Sequence, residues 1–207
     1  MDTVEALRYC EENKILGVYV ECGVMEGKHP IYACNTILEN NFEKRDIYMY
    51  DTFEGLTKPG VYDYSTATPL FHMSNEQILA EWNNQKISDT TNGWCYCSLE
   101  NVKSNVTKTN YPIDKLHFIK GDVMETLKNN LNLPEKIAVL RLDTDWYESS
   151  KFELEILYPK VSDGGVVILD DYFHWDGQRR ATDEYFKENN IDKKVIQNNG
   201  QTGYFIK

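Results

Sequence analysis

Two short apolar runs, each followed at once by acidic residues, constrain the fold of this chain more than any other part of its sequence. The runs cover residues 137–142 and 165–169, and both are β-branched and too short for helices. Residues 148–158 between them have apolar side chains at helical spacing, and residues 162–165 form a turn sequence. This is the strand–helix–strand order of a parallel sheet. Ligands of such sheets bind outside the carboxyl ends of the strands, which is where the acids fall.

The acids themselves indicate a metal ion. Asp143 and Asp145 follow the first run, and Asp170 and Asp171 follow the second. Neighbouring carboxylates repel one another and are costly to bury without partners, so such a cluster commonly holds a cation. A set of oxygen ligands favours a hard ion such as Mg²⁺, Ca²⁺ or Mn²⁺. The alternative interpretation is that these aspartates are solvated residues at the ends of strands.

The same stretch resembles the macrocin-type O-methyltransferases, which are metal-dependent enzymes that use S-adenosylmethionine and are known best from macrolide sugar methylation. The resemblance rests on VLRLDTDWYES, on the following helix that ends in LYPK, on GGVVILDDY, and on the spaced residues Trp175, Gly177, Arg180 and Ala181. It continues more thinly through most of the chain.

Length and charge narrow the functional class. The chain has 207 residues, which suits one domain, and a net charge of −11 with an isoelectric point near 4.8. This charge argues against a nucleic acid or an anionic membrane as partner. The sequence has no run of about 20 apolar residues that could span a bilayer, and its first residues, MDTVEALRYC, do not resemble a signal peptide. Five cysteines without a disulfide framework suit a reducing compartment, so we expect a cytoplasmic protein.

A glycine-containing turn near the amino terminus has the features of a cofactor site. Residues 15–20 are predicted to form the first strand and residues 29–40 a helix, and the segment ECGVMEG at residues 21–27 connects them. Glycines at such a turn let the backbone approach a ligand closely, and the helix amino terminus favours polar or anionic groups. The spacing E-x-G-x-x-x-G is not the dinucleotide-binding fingerprint, so a purely structural tight turn is the alternative.

The second and third predicted strands, residues 47–50 and 116–120, are also followed by acids. Asp51 is placed to accept hydrogen bonds from both hydroxyls of an adenosine ribose. The segments ECGVM and DTFEGL resemble the two cofactor segments of the macrocin-type family, and by that resemblance they line the S-adenosylmethionine pocket. Asp122 is expected to bind the adenine amino group, as the acid after this strand does in many methyltransferases. The expected cofactor contacts are Glu21, Cys22, Gly23, Val24, Met25, Asp51, Thr52, Phe53, Gly55 and Asp122.

Residues 57–97 are the least regular part of the chain. They contain Pro59, Gly60 and Pro69, many aromatic residues, and a predicted helix near residues 76–84. A long loop inside a compact domain is usually functional or mobile. The resemblance implies that this region is a lid over part of the acceptor site, and its aromatic content argues against the alternative of a disordered surface insertion.

The remaining segments complete an α/β fold. Further helices are predicted over residues 3–13, 98–110 and 177–188. The tail KKVIQNNGQTGYFIK is predicted to form two strands around a turn signal at residues 198–200. A C-terminal antiparallel hairpin beside a parallel sheet is typical of class I methyltransferases. We therefore predict one Rossmann-like domain over residues 1–207, with a seven-stranded, mostly parallel sheet.

These features predict an enzyme that transfers a methyl group from S-adenosylmethionine to a hydroxyl of a sugar or another vicinal diol. We expect Asp143, Asp170 and Asp171 to hold Mg²⁺, which would lower the pKa of the acceptor hydroxyl and align it with the methyl group. The candidates for the base that removes the proton are Asp143, His72 and His174, although a lone histidine in a loop is more often only solvated. The expected partner is a small-molecule acceptor, and assembly into a homo-oligomer stays open.

Two other functions stay open from the sequence. The D-T-D after a strand resembles the metal-binding D-x-D of nucleotide-sugar glycosyltransferases. Binding of S-adenosylhomocysteine rather than a nucleoside diphosphate would separate the two classes. The other alternative is a non-catalytic cofactor-binding protein of the same fold, which a turnover assay distinguishes.

Overall fold

The computed structural model describes residues 1–68, 71–198 and 200–207, so Pro69 of the predicted lid and Asn199 of the predicted C-terminal turn lie outside the described residues. The strands, in chain order, are β1 (Val18–Cys22), β2 (Ile47–Asp51), β3 (Ser65–Thr68), β4 (Phe71–Met73), β5 (Leu116–Lys120), β6 (Ile137–Leu142), β7 (Val161–Leu169), β8 (Ile196–Gln197) and β9 (Gly203–Ile206). Within the described residues, seven of them form one sheet in the order β5-β2-β1-β6-β7-β9-β8, and β3 pairs with β4 separately. The first five strands of that order are parallel, and β9 runs antiparallel to β7 and β8.

Helices cover both faces of the sheet. They are α1 (Thr3–Glu12), α2 (Lys28–Glu39), α3 (Asn75–Asn84), α4 (Leu99–Thr107), α5 (Val123–Thr126), α6 (Tyr147–Leu157) and α7 (Asp176–Glu188). Because successive side chains of a strand point to opposite faces, Val139 and Ile168 pack with α1, α2 and α4, whereas Leu140 and Val167 pack with α5, α6 and α7. The central strands are therefore mostly apolar on both faces, with Glu21 of β1 and Arg141 of β6 as the charged exceptions. In the part of the chain that the structure describes, no helix is both long and apolar enough to cross a membrane.

This architecture confirms the predicted fold, with a difference at the first strand. β1 begins at Val18 and ends at Cys22, whereas the sequence predicted residues 15–20. The carbonyl oxygens of Ile15 and Gly17 accept hydrogen bonds from the Arg45 side chain, at 2.8 and 2.7 Å. These residues are therefore bound by a side chain before the strand pairing begins.

A second difference lies at residues 162–165, which were predicted to form a turn but belong to β7. The Gly164 N–H donates to the Lys207 carbonyl at 3.0 Å, and the Lys207 N–H donates to the Gly165 carbonyl at 2.9 Å. Pairing with the end of the chain thus extends β7 through a sequence whose local preference is for a turn. Such long-range pairing cannot be read from a local window of sequence.

The insertion at residues 57–97 folds into the β3–β4 hairpin followed by α3. A separate apolar cluster joins it to the loops that follow β6 and β7, because Ile78 of α3 is buried against Trp146 and Trp175. The indole N–H of Trp146 also donates to the Thr57 carbonyl at 2.8 Å. The insertion is therefore packed against the end of the sheet where the aspartates lie.

Two buried carboxylates also bind the insertion to the starts of α6 and α7. Asp63 accepts a hydrogen bond from the Tyr147 N–H, at 2.8 Å, where α6 begins. Asp176, at the start of α7, accepts one from the Thr66 N–H at 2.7 Å. Both contacts stabilise helix amino termini, where negative charge is favoured. A role for the insertion as a cover over the acceptor stays a prediction.

Glu153 is a fully buried carboxyl on α6. Its Oε1 accepts a hydrogen bond from the Thr144 hydroxyl at 2.9 Å, and within the described residues its Oε2 has no hydrogen-bond partner. Burial raises the pKa of Glu153 to about 8, although the bond from Thr144 lowers it. The carboxyl is therefore protonated at neutral pH.

We expect Glu153→Gln to stabilise the protein at alkaline pH. The unfolded chain releases this proton near pH 4.5 and the folded chain near pH 8, so the wild type loses stability as the pH rises between these values. The loss is at most about 1.4 kcal/mol for each pH unit, and an amide of the same shape avoids it. Thermal unfolding from about pH 5 to about pH 9 measures the difference. Glu155→Gln, at an exposed position of the same helix, is the control, and parallel pH profiles for Glu153→Gln and the wild type would contradict the assignment.

Candidate functional site

A cavity of about 300 Å³ opens where the parallel strands end, beside the point at which the strand order changes direction between β1 and β6. We call it the first cavity. Residues that follow β1, β2, β5, β6 and β7 form its wall. Six of the predicted cofactor contacts lie in this wall: Gly23, Met25, Asp51, Thr52, Gly55 and Asp122.

The other four predicted cofactor contacts have side chains outside this wall. Cys22, Val24 and Phe53 are packed into the apolar core. Glu21 is also buried, and its carboxylate is bound inside the protein by Arg141. Consecutive residues of β1 point to opposite faces of the sheet, so the strand itself directs Glu21 and Cys22 away from the cavity.

Asp51 holds the glycine-containing turn in place. Its Oδ2 accepts hydrogen bonds from the N–H groups of Val24 (2.7 Å) and Met25 (3.2 Å), and its Oδ1 accepts one from the Phe53 N–H (2.6 Å). Burial raises the pKa of Asp51, while these N–H groups lower it. The Asp51 carboxylate therefore positions the turn. Its expected contact with a ribose stays a prediction.

Gly23 is required by the backbone of the neighbouring strand. Its φ of +80° lies in the left-handed region, and a Cβ atom there would lie 1.9 Å from the Asp143 carbonyl oxygen. The Gly23 N–H donates to the Tyr50 carbonyl at 2.8 Å, and the Asp143 N–H donates to the Cys22 carbonyl at 2.9 Å. Glycine is therefore needed for the turn itself, because a side chain at this position would meet protein before it met any ligand, and the contact of this turn with a cofactor stays a prediction.

Three of the aspartates after β6 and β7 converge. Oxygen atoms of Asp143, Asp145 and Asp171 lie within 4.8 Å of one another. Asp170, which the sequence predicted as a metal ligand, instead accepts hydrogen bonds through Oδ1 from Arg141 (2.5 Å) and Thr202 (3.1 Å). The acid that joins the cluster in its place is Asp145.

The backbone of Asp145 explains why it reaches the cluster. Its φ of +64° is in the left-handed region, which turns the chain back over the end of β6. Its Oδ1 accepts a hydrogen bond from the indole N–H of Trp175 at 3.0 Å. Asp170 and Asp171 lie in the turn after β7, where Asp170 is bonded to Arg141 and Asp171 joins the cluster. Sequence spacing alone does not reveal the turn at Asp145.

The converging acids favour their protonated forms. Burial raises the pKa of Asp143 and Asp171 well above the ordinary range, and Arg141 opposes this effect. Burial and then the charge of Asp143 raise the pKa of Asp145 to about 7. The Oδ2 of Asp171 is buried and, among the described residues, has no hydrogen-bond partner. An unpaired oxygen in a cluster of oxygen ligands fits a hard divalent cation.

Arg141 is a site residue that the sequence analysis did not identify. Its side chain is 3% exposed and donates to Glu21 (3.2 Å), Asp143 (2.9 Å) and Asp170. The available signal was a lone cation inside the apolar run of β6. Cys95 also lines the first cavity, although no role was predicted for it from the sequence.

Neither histidine that was considered as a base lines this cavity. His72 is exposed on β4 of the insertion. The Nδ1 atom of His174 lies 2.9 Å from the Gln201 side-chain nitrogen. Of the three candidates for the base, only Asp143 is part of the cavity wall.

A second cavity, of about 500 Å³, adjoins the first. Met25, Asp143 and Asp170 line both. The wall of the second cavity also includes Lys28 and His29 at the start of α2. The sequence analysis assigned no role to either residue.

Known proteins resemble this chain over its full length. A family model described as Macrocin-O-methyltransferase (TylF) matches residues 1–207. The chain is 30% identical over 206 residues to the 8-demethyl-8-(2,3-dimethoxy-alpha-L-rhamnosyl)-tetracenomycin-C 4'-O-methyltransferase of Streptomyces olivaceus, covering 98% of this chain and 71% of that protein. It is 29% identical over 198 residues to the demethyldecarbamoylnovobiocin O-methyltransferase of Streptomyces niveus, covering 93% and 68%. The solved structure of the O-methyltransferase NovP has a TM-score of 0.81 at 26% identity, covering 99% of this chain and 77% of that one.

Two glycines at positive φ with very different surroundings, Gly23 and Gly200, give a direct test of the turn. We expect Gly23→Ala to destabilise the protein by about 2–4 kcal/mol, because strain at positive φ is added to overlap with Asp143. Gly200→Ala has a similar φ of +69° and nothing within 4 Å of the added Cβ, so it should cost only about 1 kcal/mol. Urea unfolding of both variants measures the difference. Equal losses would show that the contact with Asp143 is not restrictive.

Proposed function

This chain belongs to the macrocin O-methyltransferase family, and on that premise we propose that it methylates a sugar hydroxyl, with S-adenosylmethionine as the methyl donor and Mg²⁺ as the cofactor. The name of the Streptomyces olivaceus relative includes a rhamnosyl group, which supports a sugar as the acceptor. The observation that supports the proposal best is the convergence of three carboxylates beside the first cavity. Membership of this family leaves no place for the glycosyltransferase alternative.

The first cavity would bind the methyl donor. Asp51 and Asp122 follow β2 and β5, where acids are placed to bind the ribose hydroxyls and the adenine amino group. The turn at Gly23 would pass beneath the methionine portion. Because a sulfonium methyl group is already reactive, the main contribution of the protein would be to hold the methyl carbon and the acceptor oxygen in line.

The carboxylate cluster has the chemistry of a Mg²⁺ site. Its oxygen-only ligands and the unpaired Oδ2 of Asp171 fit a hard divalent cation. We assign Asp143, Asp145 and Asp171 as the residues that would hold it, and Asp170 as a partner of Arg141. When bound, the ion lowers the pKa of an acceptor hydroxyl and aligns it with a neighbouring one.

Asp145 is the best placed acid to take the proton from the acceptor. It lines the first cavity, and its carboxylate oxygen can accept a proton from a hydroxyl within hydrogen-bond distance. The hydrogen bond from Trp175 orients its carboxylate. The acceptor oxygen forms a bond to the methyl carbon, the carbon–sulfur bond breaks, and the hydroxyl proton passes to Asp145. The products are a methyl ether and S-adenosylhomocysteine.

We expect S-adenosylhomocysteine to bind the wild type, and Asp51→Asn to weaken this binding roughly 10- to 100-fold, or about 1.5–3 kcal/mol. The variant loses charged hydrogen bonds to the ribose and to the N–H groups of residues 24 and 25. Isothermal titration calorimetry measures the dissociation constant. Glu54→Gln removes a nearby exposed acid and is the control, with no change expected. The proposed function fails if the wild type binds neither S-adenosylmethionine nor S-adenosylhomocysteine.

A second test concerns the metal. We expect Asp171→Asn to weaken the binding of Mn²⁺, used as a spectroscopic substitute for Mg²⁺, by about tenfold or more, because it removes one of three ligands. Electron paramagnetic resonance of bound Mn²⁺ measures this without requiring turnover. Asp163→Asn, an exposed position of β7, is the control. Unchanged Mn²⁺ affinity in Asp171→Asn, or full methyl transfer in excess chelator, would contradict the metal assignment.

A further inference from the structure

The second cavity meets the first at the aspartates. Asp143 and Asp170 line both spaces, and Met25 lies between them on the turn after β1. A methyl transfer joins two substrates, so each needs a compartment that brings its reacting atom to the junction. With the first cavity assigned to the donor under the proposed function, on which this inference rests, the second cavity is the compartment that remains for the acceptor.

We propose that the second cavity binds the acceptor sugar, and that the Nε2 atom of His29 accepts a hydrogen bond from one of its hydroxyl groups. His29 is half-buried at the start of α2. It lines the second cavity together with Arg141 and Asp170, so it shares a wall with residues beside the acid cluster. It would therefore contact the part of the acceptor that lies close to the reacting hydroxyl.

The chemistry of the wall favours a carbohydrate. Apart from Val24 and Met25, the cavity is lined by polar or charged residues. Asn198 and Thr202, from the loop between β8 and β9, complete the side away from α2. A sugar ring with several hydroxyl groups can form hydrogen bonds with the polar groups of this wall. An apolar acceptor would leave those polar groups buried and unpaired.

One ring nitrogen of His29 is already engaged inside the protein. The Nδ1 atom lies 3.0 Å from the Thr3 hydroxyl oxygen, so Nε2 is the ring nitrogen that remains for a ligand. In the proposed arrangement Nδ1 has the proton and donates to Thr3, and Nε2, without a proton, accepts from the sugar.

The ring is also neutral under ordinary conditions. Burial, followed by the positive charge of Arg141, lowers the pKa of His29 to about 4. Thr3 is only 1% exposed, so water does not compete for Nδ1. A neutral imidazole with a fixed tautomer has one defined hydrogen-bonding role toward a ligand.

The test is an NMR measurement of the histidine ring nitrogens, which is practical because the chain has few histidines. The chain has four, so the ring nitrogens can be resolved by long-range ¹H–¹⁵N correlation spectra and assigned with His29→Gln. The probe is methyl α-L-rhamnopyranoside, added to the protein saturated with S-adenosylhomocysteine and Mg²⁺. We expect His29 to have its proton on Nδ1, and the probe to shift the His29 Nε2 resonance while leaving His117, on β5 at the far edge of the sheet, unchanged.

Variants separate a contact from a structural effect. Thr3→Val keeps the shape of the side chain and removes the acceptor for Nδ1, so we expect a mixture of tautomers and weaker binding of the probe. We expect His29→Gln to weaken the binding of the probe about tenfold and to leave the affinity for S-adenosylhomocysteine unchanged. His117→Gln is the matched control and should alter neither affinity.

The outcomes are distinguishable. If S-adenosylhomocysteine does not bind, the proposed function itself fails. If it binds, but the probe leaves the His29 resonances unchanged, or His29 has its proton on Nε2, only the present inference is overturned. A loss of cofactor affinity in His29→Gln would also overturn it, because His29 would then belong to the donor site.

Discussion

One buried guanidinium holds this end of the sheet together. Arg141 is the last residue but one of β6 and is buried among apolar side chains, where an unpaired charge would cost several kcal/mol. It is bonded to Glu21 of β1, to Asp143 after β6 and to Asp170 after β7. Three neighbouring strand ends are thus bound to one cation. Such a pairing is costly to break, because removal of either partner leaves the other charge buried.

The same arrangement leaves an excess of negative charge. Arg141 faces three carboxylates, and Asp145 and Asp171 adjoin them. A salt bridge between one cation and one carboxylate is neutral and does not attract further ions. In this cluster the carboxylates outnumber the cationic side chains that neutralise them. The divalent ion that we propose and the ionic core of the sheet would therefore be parts of one charge balance.

The sequence predicted the fold well because its strongest signals are local or periodic. The apolar runs, the helical spacing after Asp145 and the acids that follow the strands each follow from a short stretch of sequence. The site was predicted less completely. The replacement of Asp170 by Asp145 in the cluster depends on a left-handed residue and on Arg141, and the role proposed for His29 depends on a cavity formed by α2 and the loop before β9. These are properties of distant segments in contact, which no local pattern encodes.

The contact between Gly23 and the Asp143 carbonyl has a consequence for how such an enzyme can change its substrate. The separation between the donor turn and the acids is set by main-chain atoms of adjacent strands, so no side-chain substitution on the cavity surface alters it. The residues around the second cavity come from other segments, namely the first turn of α2 and the loop before β9. Under the proposed assignment of the two cavities, a few side chains would set the acceptor preference, whereas main-chain atoms would set the reaction geometry.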